Sequence, residues 1–89
     1  MASYKVELSR TAEKQLRKVG SIDQVRIVRR IQALEFDPYP DGCRKLSGYN
    51  DLYRVRVGNY RIVYWVDERA ITIVVLKIGH RKEIYRRIT

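Results

Sequence analysis

Apolar and polar residues alternate along some stretches of this chain and recur at helical spacing along others. Tyr4, Val6 and Leu8 alternate with Lys5 and Glu7, which predicts a half-buried strand over Tyr4–Leu8. Ser9 stands where a helix N-cap is needed. Ala12, Leu16 and Val19 then fall at helical spacing, with Lys14, Arg17 and Lys18 facing outward and Gly20 at the position of a C-terminal stop. Ser21-Ile22-Asp23-Gln24 has the S-x-x-Q spacing of a capping box and opens a second helix that runs to about Phe36. At about 100° per residue, Val25, Ile27, Val28, Ile31 and Leu34 fill one half of its circumference, and Arg26, Arg29, Arg30 and Ala33 the other. Two short antiparallel helices with basic outer faces are expected.

Asp37-Pro38-Tyr39-Pro40-Asp41-Gly42 reads as a loop from its turn chemistry. From Leu52 the period changes to two. Tyr53, Val55 and Val57 alternate with Arg54 and Arg56, Gly58-Asn59 is a hairpin turn pair, and Tyr60 to Val66 returns. Asp67-Glu68-Arg69 turns again, Ala70 to Ile78 is the most apolar strand, and about Arg81 to Ile88 is expected to be a short helix. These elements predict an α+β fold in the order β-α-α-β-β-β-(α). An antiparallel sheet carries the two N-terminal helices on one face, as a single domain over 1–89.

Composition removes whole classes of function. Hydrophobic residues make up 45% of the chain, so high charge does not come with the low hydrophobicity of a disordered chain. No apolar run approaches the ~20 residues of a membrane span, and the N-terminus has no signal-peptide core. A single Cys43 excludes an internal disulfide and a cysteine-based metal site, and His80 is the only histidine. The expectation is a cytoplasmic domain without cofactor or metal. Nineteen Lys and Arg against ten Asp and Glu give a formal net charge of +9, spread along the whole chain. The folded domain itself is basic, and its partner is acidic.

The hairpin concentrates that charge. A two-residue turn at Gly58-Asn59 pairs Val57 with Tyr60, Arg56 with Arg61, Val55 with Ile62 and Arg54 with Val63. Tyr53, Val55, Val57, Tyr60, Ile62 and Tyr64 then share the core face, and Arg54, Arg56 and Arg61 the other. Directly opposed like charges destabilise a strand pair by roughly 0.2–1 kcal/mol, which points to a bound anion, and guanidinium forks fit phosphate. The competing reading is a solvated arginine row that protects an edge. Val63 and Trp65 fall on the arginine face, and an exposed aromatic beside cations suits nucleotides, whose bases stack. In Gly79-His80-Arg81-Lys82-Glu83-Ile84-Tyr85, Arg81 and Tyr85 share a face if the segment is helical. A cation beside a phenol favours the phenolate, and imidazole is a common general acid or base, so Tyr85 and His80 are both candidates for proton transfer.

Lys45-Leu46-Ser47-Gly48, then Tyr53-Arg54-Val55-Arg56-Val57-Gly58-Asn59-Tyr60-Arg61-Ile62-Val63-Tyr64, then Gly79 to Tyr85 resemble the RelE branch of the RelE/ParE toxin superfamily. The resemblance covers nearly the whole chain. It implies a RelE-like microbial ribonuclease fold and the toxin of a toxin–antitoxin pair, which cleaves messenger RNA in the ribosomal A site without a metal. The 2′-OH attacks the adjacent phosphate and leaves a 2′,3′-cyclic phosphate and a 5′-OH. By position, Arg61 and Arg81 match phosphate-binding arginines, and Tyr85 the tyrosine that orients substrate, stacks or assists proton transfer. Arg54 and Arg56 replace lysines of the best-known members, and arginine stays protonated. They are therefore cast as electrostatic stabilisers, with Lys45, Trp65, His80 and Lys82 as RNA contacts. The implied partners are an acidic antitoxin, the ribosome and messenger RNA, with operator DNA reached only through the antitoxin complex. The superfamily's other branch inhibits DNA gyrase on the same fold, which is the alternative function.

Overall fold

In the computed structural model, which describes residues 3–80, the chain opens with strand β1 (Lys5–Leu8) and helices α1 (Arg10–Arg17) and α2 (Ser21–Leu34). Strands β2 (Arg44–Lys45), β3 (Leu52–Val57), β4 (Tyr60–Asp67) and β5 (Thr72–His80) follow. The expected C-terminal helix, with Arg81, Lys82 and Tyr85, lies outside the described residues. Among the described residues, five strands form one sheet in the order β1-β5-β4-β3-β2.

The sheet is mixed. Strands β3 to β5 pair antiparallel, as expected. The short β2, which the alternation does not predict, adds a fourth antiparallel strand beside β3, and β1 pairs parallel with β5, from Lys5 opposite Thr72 to Leu8 opposite Val75. Alternation assigns faces and carries no information on direction. A parallel partner needs a long crossover, and the two helices belong to that connection. Past Val75, β5 runs beyond β1, and α1 satisfies its edge instead. The Ser9 hydroxyl donates to Leu76 O at 3.0 Å, and the Ile78 N–H donates to Gln15 Oε1 at 2.7 Å.

The helix junction departs from the expected caps. Ser9 caps α1, its Oγ accepting from the Ala12 N–H at 3.0 Å. Helix α1 then ends at Arg17, with Lys18 as C-cap, and Gly20 has φ −57° and serves as the N-cap of α2. Ser21 is already helical, so no capping box forms. The Gln24 side chain donates instead to Leu16 O at 2.9 Å, tying the second helix to the end of the first.

Ile27, Ile31 and Leu34 of α2 and Ala12 of α1 pack on Val55, Ile62, Tyr64, Val66, Ile73, Val75 and Ile78 of the sheet. Each large aliphatic side chain so buried stabilises the fold by roughly 1.5–3 kcal/mol. Val25, expected on the apolar half of α2, is exposed. The opposite sheet face has a smaller cluster of Leu46 and Val63 with Leu52 against it. Val63, expected on the open strip beside the arginines, is thus covered by the chain between β2 and β3.

Candidate functional site

Register builds the site. The four cross-strand pairs expected at the hairpin are those observed, and Gly58 takes the positive φ (59°) that the turn requires. A Cβ at Gly58 would stand 3.4 Å from the Arg26 guanidinium, so the hairpin tip lies close to α2. Arg54 and Arg56 therefore project from β3, and Arg61 from β4, on the face away from the helices. Strand β2 adds Arg44 opposite Arg54. A cavity of about 320 Å³ is lined by Gly42, Arg44, Arg54, Arg56 and Arg61. Gly79 stands opposite Arg61 and leaves the next strand bare of side chain there.

Among the described residues, those lining this cavity include no carboxylate. Four guanidinium groups around one space offer bidentate donors to phosphate oxygens and stabilise negative charge that develops on them. They do not accept a proton. Among the described residues, no group of three or more His, Cys, Asp and Glu is placed to hold a metal ion.

The other expected contacts are more dispersed. Trp65 is 36% exposed and lies on the arginine face, four residues along β4 from Arg61, or about 13 Å at the strand rise. Lys45 is opposite Tyr53, which packs with the core, so it faces the other side of the sheet from Arg44. His80 is paired with Tyr60, their ring centroids 6.0 Å apart, on the helix side of the sheet and away from the arginine cavity. Two cations on the arginine face are absent from the sequence reading. Arg44 escaped because a two-residue strand has no periodicity to detect. Lys77, opposite Val63, escaped because a register shift in β5 between Val75 and Lys77 breaks the alternation.

The loop between α2 and β2 sets the position of Gly42 and Arg44. The Tyr64 hydroxyl, inside the core, donates to Pro38 O at 2.8 Å, and Arg30 Nη2 donates to Asp41 O at 3.4 Å. Tyr39 packs edge-on against Tyr53, centroids 5.0 Å apart, and donates to Glu68 Oε2 at 2.6 Å. The Tyr4 hydroxyl donates to the other Glu68 oxygen. The hydrogen bonds from Tyr39 and then Tyr4 hold the Glu68 carboxyl below its ordinary range. Burial first, and the Glu68 carboxylate second, push the Tyr39 hydroxyl up. Burial, then neighbouring Cys43, raises Tyr64.

The sequence profile described as the ParE toxin of type II toxin–antitoxin systems, parDE, matches residues 6–85. The chain belongs to this toxin family. The toxin is 45% identical over 42 residues to Toxin RelE3 of Methanocaldococcus jannaschii, spanning 47% of this chain and 46% of that relative, about half its length. Over 87 residues it is 26% identical to the mRNA interferase toxin RelE of Escherichia coli K12, covering 93% of this chain and 90% of the relative. In the crystal structure of the archaeal RelE–RelB complex from Pyrococcus horikoshii OT3, a chain 30% identical superposes with a TM-score of 0.81, over 91% of the toxin and 98% of that chain. These likenesses make it a RelE-type toxin of a type II toxin–antitoxin system, with the α+β architecture of its structural neighbours.

Proposed function

We propose that this toxin is an endoribonuclease that cleaves messenger RNA in the ribosomal A site and so blocks translation. The convergence of Arg44, Arg54, Arg56 and Arg61 on one cavity carries the reading. Four guanidinium groups directed at one space suit the oxygens of a polyanion.

In the proposed reaction the ribose 2′-oxygen gives up its proton and attacks the adjacent phosphorus. The bond from phosphorus to the 5′-oxygen breaks, and that oxygen takes up a proton. The products are a 2′,3′-cyclic phosphate and a 5′-OH. Arg54, Arg56, Arg61 and Arg81 stabilise the pentacoordinate phosphorane, where loss of one donor typically costs about 10²–10³ in rate. Tyr85 is the group assigned to proton transfer. His80 is the weaker candidate for that role, since its ring packs against Tyr60 on the far side of the sheet. Trp65 supplies a stacking surface beyond the phosphate site, with Lys45 and Lys82 as further contacts to RNA.

The partner proposed from the RelE–RelB complexes is a cognate acidic antitoxin that covers basic surface, with operator DNA reached only through that complex. The site of action is the cytoplasm. Among the described residues, no helix is long and apolar enough to cross a membrane.

Purified toxin added to translating ribosomes is expected to cut messenger RNA and leave cyclic phosphate ends. Arg61→Ala or Arg81→Ala should abolish cutting while thermal melting still shows a folded domain. Normal cutting by both variants would remove the site assignment. The family profile's ParE name supports a second reading, inhibition of DNA gyrase. Loss of supercoiling on adding the toxin, with intact messenger RNA, would establish that reading and end the first.

A further inference from the structure

The cavity arginines form two facing pairs. Arg44 stands opposite Arg54 across β2 and β3, and Arg56 stands opposite Arg61 across β3 and β4. Arg54 and Arg56 share a face two residues apart, so the pairs are separated by about 7 Å along the sheet at a rise of ~3.3 Å per residue. Successive phosphorus atoms of a nucleic-acid strand are six covalent bonds apart, a span of the same order. The cavity, at about 320 Å³, has room for more than one phosphodiester group.

We propose that Arg44 binds the phosphate next to the one cleaved, so that the cavity is a two-phosphate site reading consecutive links of an extended strand. The inference rests on the nuclease reading and adds a residue to it. Arg56 and Arg61 hold the reacting phosphate, Arg44 holds its neighbour, and Arg54 stands between them. Arg44 is a positioning residue: it fixes the strand in register, and the chemistry occurs at the other pair.

The fold secures Arg44 for this task. Strand β2 is only two residues long, too short to fix its own position. The loop before it is anchored to the core by Tyr64 through Pro38, to α2 by Arg30 through Asp41, and to the β4–β5 turn by Tyr39 through Glu68. Gly42, with φ +86° and open space around its Cβ position, leaves the cavity wall bare beside Arg44. A phosphodiester can approach the backbone there without a side chain in its path.

The test compares binding of a trinucleotide and a dinucleotide RNA, both 2′-O-methylated so that neither is cleaved, at several salt concentrations. Arg44→Ala should weaken the trinucleotide, which carries two phosphates, by about tenfold or more. It should also reduce the slope of log affinity against log salt by about 0.7. The dinucleotide, with one phosphate, should bind as before, whereas Arg61→Ala should weaken both. Arg44→Lys should restore the salt slope, and Lys5→Ala, which removes one charge at the opposite edge of the sheet, should leave both affinities unchanged. Equal losses for the two oligonucleotides, or no loss for either, would overturn the proposal while the nuclease reading stands. If the wild-type toxin bound neither, the nuclease reading would fall and this inference with it.

Discussion

Arg56 sets a cost to the strand pair against the role proposed for it in the site. It faces Arg61 directly across β3 and β4, and Arg44 and Arg54 line the same cavity. Opposed like charges in a strand pair cost roughly 0.2–1 kcal/mol, and threonine is a better strand former than arginine. Arg56→Thr is therefore expected to raise stability by about that amount in denaturant unfolding, while cleavage of ribosome-bound messenger RNA falls by about 10²–10³. Unchanged activity would remove Arg56 from the site. Loss of stability would mean that its stem packs rather than merely points outward. Lysine at these positions would differ in kind, because it can shed its proton in a cationic pocket. Four arginines commit the cavity to stabilising charge and leave proton transfer to a group of another type.

At the scale of elements, the hairpin and the loop before β2 differ in how they are specified. The β3–β4 pairing follows from alternation plus one turn, so the register, the core face and the gathering of Arg54, Arg56 and Arg61 were all readable from local spacing. Arg44 was not readable, because its place depends on Pro38, Tyr39 and Asp41 being held by Tyr64, Glu68 and Arg30, residues 11 to 29 positions away in sequence. The parallel direction of β1 and the shift around Leu76 were hidden for the same reason: they are set by partners, not by period. The Glu68 clasp has a consequence with a definite sign. Its carboxyl is held below the ordinary range by the hydroxyls of Tyr39 and Tyr4, so its contribution is present above the unfolded-state value and is lost as pH falls through the folded one. The tyrosine hydroxyls are raised, so their contribution is present at neutrality and fades as pH climbs through the alkaline range where unfolded phenols ionise, about pH 10. Melting temperature against pH should decline on both sides. Glu68→Gln should flatten the acid limb, and an unaltered acid limb would show that the clasp does not persist in solution.

Across the whole molecule, the +9 charge acts in two ways that salt separates. Spread over helices and sheet, it produces general self-repulsion, which any electrolyte screens over a Debye length of about 10 Å at 0.1 M. Gathered in the cavity of Arg44, Arg54, Arg56 and Arg61, it forms the proposed phosphate site. Sodium chloride should therefore raise the melting temperature modestly. Sodium phosphate at the same ionic strength should raise it further, because a ligand bound to the folded state alone adds RT ln(1 + [L]/Kd), about 2.7 kcal/mol at a hundredfold excess over Kd. In a domain of this size each kcal/mol moves the midpoint by roughly 4–8 °C. Phosphate also strengthens apolar burial non-specifically, so the decisive comparison is between proteins. Arg61→Ala should keep the chloride response and most of the non-specific effect while losing the additional shift. If phosphate stabilised that variant as much as the wild type, the clustered arginines would be a solvated face, and the +9 charge would act only through its long-range field.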